Sequence, residues 1–173
     1  MNIVNTFVET PLGSIGILVE AGTLRGLELE PDRITRANHA PPALVWEQLM
    51  AYFEDGSHTF ALPLDLRGTA FQIRVWEALR EIPSGCTVTY GELARKLRTG
   101  ARAVGGGCRA NPCPIVVPCH RVVANRGLGG FAGDSSGRKL AVKRWLLQHE
   151  GAPLLPGTPP VSQRPVPVHR VPS

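Results

Sequence analysis

The first thirty residues alternate apolar and polar positions in short runs: IVNTFVET, SIGILVE with Ile15, Ile17 and Val19 on one face, and LRGLELE with Leu27 and Leu29 between acids. Pro11-Leu12-Gly13 and Ala21-Gly22 separate them as turns, so the pattern predicts an antiparallel meander. Past a polar stretch from Asn38 to Pro42 the period lengthens. ALVWEQLMAYFEDG carries Leu44, Trp46, Leu49, Met50 and Phe53 at helical spacing and ends at Gly56, which predicts one helix covering a face of the sheet. Residues 1–62 gather no nucleophile, metal cluster or phosphate loop, and they read as a supporting domain.

A boundary is expected at 63–68, beyond which the pattern is helical and residues 69–151 form a second domain. Thr69-Ala70-Phe71-Gln72 is a capping-box sequence followed by Phe71, Val75 and Leu79 on one face, with a stop near Ile82-Pro83. Thr89-Tyr90-Gly91-Glu92 repeats the signature and opens a short helix through Leu97, for which Gly100 is the expected terminator. A further helix is predicted over Ala101 to Ala110, and the pair has the outline of a helix-turn-helix. Its sequence, ARAVGGGCRA, has only Arg102 and Arg109 as long polar arms. Each of its three successive glycines costs about 1 kcal/mol against alanine, so the weak helix must gain something: tight packing on a neighbour, or close approach to a DNA groove. The last helix, Leu140 to His149, is expected to bury Leu140, Val142, Trp145, Leu146 and Leu147 and to expose Lys143 and Arg144. Residues 152–173 are rich in proline and without periodicity, which predicts a disordered tail.

Charge divides along the same line. Of the 173 residues, 1–66 hold 3 Lys and Arg against 9 Asp and Glu, whereas 67–150 hold 14 against 5. A polyanion partner would meet the second half; a solvated basic surface with no partner accounts for the count equally well. No apolar run approaches the length of a membrane span, and MNIVNTFVETP lacks the basic and apolar segments of a secretion signal. The expectation is a cytoplasmic protein with four reduced cysteines.

Chemistry concentrates in NPCPIVVPCHRV, where a Pro-interrupted loop and a buried-looking run deliver Cys119 beside His120. A neighbouring imidazole or cation can draw the proton from a thiol and make it a nucleophile. The dipeptide alone is weak, because four Cys and five His place such a pair by chance about one time in ten. Zinc is disfavoured: Cys108 and Cys113 are five apart and Cys119 and His120 adjacent, unlike the knuckle pairs of structural sites. Cys86, Cys108 and Cys113 are expected to be small packing residues, and His39, His58 and His169 ordinary surface or loop residues.

The runs FQIRVWEALREIPSGCTVTYGELA, ARAVGGGCRANPCPIVVPCHRVV, GGFAG and KRWLLQHEG, in that order over about residues 68–151, resemble the C-terminal domain of the O6-alkylguanine-DNA alkyltransferases. The resemblance implies an α+β protein: a small ribonuclease-H-like N-terminal α/β domain and a mostly helical, winged-helix-like domain with the helix-turn-helix. It implies that Cys119 accepts the alkyl group irreversibly, that His120 acts through a water and is oriented by Glu150, and that the Tyr90 hydroxyl assists the leaving base. Asn111 would brace the helix-turn-helix against the nucleophile loop. Pro114, the Val122 backbone, Phe131, Ala132 and Gly133 would form the base pocket. Arg102 would enter the stack when the nucleotide is rotated out, with Ala101, Ala103, Gly105, Arg109 and Tyr90 facing the DNA. The implied partner is duplex DNA containing O6-alkylguanine, or O4-alkylthymine, bound by a monomer without a cofactor. Two departures bear on the pocket. The loop after His120 is one residue short before Phe131, which stands where many members have tyrosine, and FAGDSSGRKLAVKRW carries extra residues before the last helix.

Three rivals fit some of the same residues. One is a lesion-binding protein of this architecture that transfers nothing, a class in which the cysteine is typically replaced. Another is a helix-turn-helix regulator with Cys119 as a redox sensor. A cysteine hydrolase is third, disfavoured because no oxyanion loop precedes Cys119.

Overall fold

The computed structural model describes residues 3–29, 40–133 and 137–154. Three strands, β1 (Ile3–Thr10), β2 (Gly13–Glu20) and β3 (Thr23–Leu29), form the expected antiparallel meander in the order β1-β2-β3. Val8 pairs with Ile15 and Ile17 with Leu27, so alternation puts Val8, Ile15, Ile17, Val19 and Leu27 on the buried face. The helix α1 (Ala43–Glu54) buries Val45, Leu49, Tyr52 and Phe53. Leu44, expected on that face, is 49% exposed, and Tyr52 takes the buried position that spacing alone did not give it.

Residues 63–65, expected as a linker, run along β3: Leu24 and Leu64 form a parallel bridge, Leu24 N donates to Pro63 O (2.9 Å) and Asp65 N to Leu24 O (3.0 Å). The helix α2 (Ala70–Arg80) starts with both halves of the Thr69/Gln72 capping box formed. A two-residue strand β4 (Val88–Thr89) leads into α3 (Tyr90–Leu97), capped reciprocally by Thr89 and Glu92. Arg98, at φ 54°, occupies the left-handed position that ends α3. Gly100, expected there, instead precedes α4 (Ala101–Arg109) as its N-cap. After a loop, a single 3₁₀ turn at Cys119–Arg121 runs into β5 (Val122–Val123), which pairs in parallel with β4 through Val88–Val122 and Thr89–Val123. This short ladder sets the start of α3 beside the chain that leaves Cys119.

The last helix, α5 (Arg138–His149), buries Val142, Leu146 and Leu147 and exposes Arg144 as expected. It also buries Lys143 completely, against the reading of that residue as exposed. One hydrophobic cluster runs through both halves of the chain, from Ile15 and Leu49 through Val75 and Trp76 to Val117 and Leu146. Among the described residues no helix is long and apolar enough to cross a membrane. Residues 155–173 of the expected tail, together with His39, His169 and Asp134 to Ser136 of the altered loop, lie outside the described residues.

Candidate active site

The α4 glycines divide between the two readings left open by the sequence. A Cβ on Gly107 would lie 2.9 Å from both methyls of Val75, and the Gly107 carbonyl accepts a hydrogen bond from Trp76 Nε1 (2.9 Å). Gly107 is therefore a packing residue that lets α4 lie against α2. Gly105 and Gly106 have open space where a Cβ would go, and both line a cavity of about 660 Å³.

Other walls of that cavity come from Tyr90, Ala101, Arg102, Cys108, Arg109, Cys119 and the segment from Gly130 to Gly133. Tyr90, Cys119, Phe131, Ala132, Gly133, Ala101, Arg102, Gly105 and Arg109, all named from the sequence, thus line one cavity. Ala103 is exposed on α4 but does not line the cavity, and Pro114 and Val122, expected in the pocket, are buried and do not line it either. Cys108, expected to pack, is buried and lines the cavity; Cys113 is fully buried; Cys86 is exposed, against expectation.

The loop that carries Cys119 is fixed at several points. Asn111 Nδ2 donates to Val117 O (2.7 Å), its Oδ1 accepts from Cys113 N (3.0 Å), and Val117 N returns to Cys113 O (2.8 Å). Leu27 N of β3 donates to Pro112 O (2.8 Å), so the N-terminal sheet grips the same loop. Ile115, buried at φ 77°, sits in the left-handed region, a strained conformation for a β-branched residue that these bonds hold in place.

Behind Cys119 lies a buried charge network. Glu150 Oε1 accepts from His120 Nε2 (2.7 Å), Tyr52 Oη (2.8 Å) and Arg121 Nη2 (2.9 Å), and its Oε2 accepts from Arg121 Nε (2.9 Å). Arg121 Nη1 also reaches Ile82 O (2.5 Å). Burial opposes ionisation of Glu150, but His120 and the Arg121 fork outweigh it and hold the carboxyl down to about 2. A carboxylate only accepts, so the proton on the imidazole belongs to Nε2. Burial keeps His120 neutral by lowering its pKa, although Glu150 pulls the other way. Its Nδ1 is buried with no protein partner among the described residues and offers a bare lone pair.

Burial pushes the Cys119 thiol up from its ordinary range, against an Asn111 hydrogen bond and the Lys143 charge that lower it. The resting group is thus a thiol that an adjacent base must deprotonate. Tyr90, whose Oη donates to Gly130 O (3.2 Å), is raised by burial and by the two cysteines, and stays a protonated donor at neutral pH.

The geometry adds Tyr52, Arg121, Lys143 and Cys108 to the residues read from sequence. An arginine inside the apolar run VVPCHRVV signals a buried carboxylate partner. Lys143 sits three residues after Leu140 and four before Leu147, in the apolar stripe.

Comparison with known proteins names this arrangement. Residues 70–152 match the family model described as 6-O-methylguanine DNA methyltransferase, DNA binding domain. A methylated-DNA--protein-cysteine methyltransferase of Salmonella typhimurium is 39% identical, over 86% of this chain and 95% of its own. This chain belongs to the 6-O-methylguanine DNA methyltransferase family. The crystal structure of the Mycobacterium tuberculosis O6-methylguanine methyltransferase superimposes with a TM-score of 0.70 at 34% identity, covering 86% of this chain and 93% of that one. A Thermus thermophilus relative named a DNA base-flipping protein is 40% identical over 84% of this chain and 99% of its own. The segment matched by the methyltransferase family model holds both α4 and the Cys119 loop.

Proposed function

We propose that this chain repairs duplex DNA by taking the alkyl group of O6-alkylguanine onto Cys119, once per molecule. Guanine O6 is stacked inside the duplex, so the nucleotide must leave the helix to meet a sulfur at the cavity wall. Arg102, exposed at the start of α4 and at the cavity edge, fills the space it vacates. Ala101, Ala103, Gly105 and Gly106 keep that face of α4 thin enough for a groove, and Arg109 contributes charge.

With the base in the cavity, Phe131 supplies an apolar face, and Ala132 and Gly133 complete the wall. His120 Nδ1 takes the Cys119 proton, directly or through one water. The thiolate attacks the alkyl carbon, a carbon–sulfur bond forms as the carbon–O6 bond breaks, and its electron pair passes to the purine. The departing base takes one proton from the Tyr90 hydroxyl, and the proton held on His120 restores the phenol, so both side chains end neutral. Glu150 stabilises the imidazolium formed in between, as ionised carboxylates do behind a catalytic histidine. The product is a thioether that nothing in this site can cleave. Asn111 holds the nucleophile loop to the end of α4, while Pro114 and Val122 support the pocket from behind.

The observation that carries this reading is Cys119 at the wall of a base-sized cavity, beside a neutral imidazole backed by a buried carboxylate. A base-flipping protein without transfer would need the cavity but neither the thiol nor the imidazole and carboxylate. We further propose that residues 1–62 are a ribonuclease-H-like support and 69–151 a winged-helix-like domain with α3–α4 as helix-turn-helix, in a cytoplasmic monomer. The test is Cys119→Ala with labelled O6-methylguanine duplex: transfer is lost and DNA affinity kept. Full transfer by that variant refutes the assignment.

A further inference from the structure

A second depression in the C-terminal half shares no residue with the cavity at Cys119. It is a groove of about 340 Å³ between the end of α2 and α3, floored by Ala78, Ile82 and Leu93 with Val88 beside them. Its rim carries Glu81 and Glu92, two of the five acids among residues 67–150, where 14 Lys and Arg stand against them. Lys96, the cation among its lining residues, is paired with Glu81. Glu92 caps α3 through Oε2, which accepts from Thr89 N (2.6 Å) and Thr89 Oγ1 (2.8 Å). A basic domain thus keeps one slot with an apolar floor and a net negative rim, and no residue of α4 lines it.

We infer that this groove is the docking site of the chain's own basic, proline-rich segment, residues 164–170 (RPVPVHR). The chain is placed to reach it. The turn at 82–86, which forms one wall, packs on the residue where α5 stops: Arg121, bound to Glu150, also donates to Ile82 O (2.5 Å), and a Cβ on Gly85 would lie 3.3 Å from Glu150 O. Gly151, at φ 68°, turns the chain there, and Leu154, the last residue described, is only about 14 Å of chain beyond Glu150. Ten further residues of polyproline II, at about 3.1 Å each, span about 30 Å, enough to bring Arg164 onto the groove. Charge selects the same occupant. Residues 155–173 hold Arg164, His169 and Arg170 and no Asp or Glu, and the arginine fork pairs with carboxylates such as those of Glu81 and Glu92. Between the arginines, Val166 and Val168 suit the apolar floor. A proline-rich strand builds no core of its own, yet it needs none to lie in a groove, because its extended backbone is ordered beforehand and loses little entropy on docking. Attachment to α5 holds the segment at an effective concentration on the order of millimolar, so a weak contact suffices.

The test uses the full-length chain with Val168→Cys, mildly oxidised with glutathione disulfide. Peptide mass shows whether the new thiol joins Cys86, the exposed cysteine on the groove rim. A disulfide within one chain is expected, and adding Arg164→Glu with Arg170→Glu slows its formation about tenfold, the effect of reversing two exposed ion pairs. All three substitutions lie in the tail and leave the folded residues unaltered. Absence of the link overturns the inference, and so does an unchanged rate, since a tail that merely collides with Cys86 has no need of its arginines. A link between two chains whose yield grows with protein concentration also overturns it, by giving the groove to the tail of a second copy. In the unsubstituted protein ¹⁵N relaxation reads the same docking without a cross-link. Val166 and Val168 show backbone order parameters above about 0.6 that fall in the double arginine variant, and lower values in the unsubstituted chain overturn the inference.

Discussion

The Tyr52 hydroxyl donates to Glu150 Oε1 at 2.8 Å, the oxygen that also takes His120 Nε2. One hydrogen bond therefore ties α1 of the N-terminal half to the carboxylate behind the proposed base, across 98 residues of sequence. Burial, with the neighbouring Glu150 adding to it, raises the Tyr52 phenol well above its usual range, so it remains a donor. Tyr52→Phe removes that donor and leaves the ring. It is expected to cost about 1.5–3 kcal/mol, the range for bonds to charged groups, and to slow alkyl transfer several-fold. Urea unfolding and single-turnover kinetics check both; wild-type values in each would show the link to be idle.

Glu150 predicts a distinct acid dependence. Its carboxyl is held at about 2 in the fold against 4.5 for the free group. A depressed carboxyl stabilises the fold fully above its unfolded value, and that contribution is lost as pH falls from about 4.5 through about 2, amounting to about 3 kcal/mol. Glu150→Gln should flatten this part of the stability profile while lowering stability at pH 7. Chemical denaturation from pH 2 to 7 measures the slope.

The α4 glycines should respond in opposite ways. Gly107→Ala drives a methyl into Val75 and should destabilise by about 1–3 kcal/mol. Gly106→Ala meets open space and should gain up to about 1 kcal/mol of helix stability, yet weaken DNA binding by thickening the face that approaches the groove. Thermal unfolding beside a DNA titration separates the two; equal behaviour would mean the glycines share one role.

Arg102→Ala should lose repair of duplex DNA by at least tenfold while still reacting with free O6-benzylguanine, which needs no nucleotide rotated out. Nonspecific DNA affinity should fall only slightly. Equal loss on both substrates would place Arg102 in the chemistry rather than at the stack.

The local signals were the legible ones. Both capping boxes formed because Thr69 with Gln72, and Thr89 with Glu92, need only four residues in a row. The Cys119–His120 pair stands in the sequence itself, whereas the residues expected around it came from the family resemblance. Lys143 reads as exposed and Tyr52 goes unremarked in the sequence because their burial is settled by distant atoms: two carbonyls at 122 and 130 for one, a carboxylate at 150 for the other. Polarity predicts exposure for Lys143, and helical spacing predicts burial for Leu44, which is exposed. Arg98 takes the left-handed turn position expected of Gly100, because α3 ends at Leu97 as expected and its cap falls on the very next residue. Three successive glycines carried two roles that only their neighbours could separate.

Peptide mass after equimolar reaction with O6-methylguanine duplex tests the central claim most directly. The account predicts a single added methyl, 14 mass units, on the peptide containing Cys119, with one lesion consumed per protein and none thereafter. A methyl on another residue, an unmodified protein beside repaired DNA, or a second turnover would contradict it.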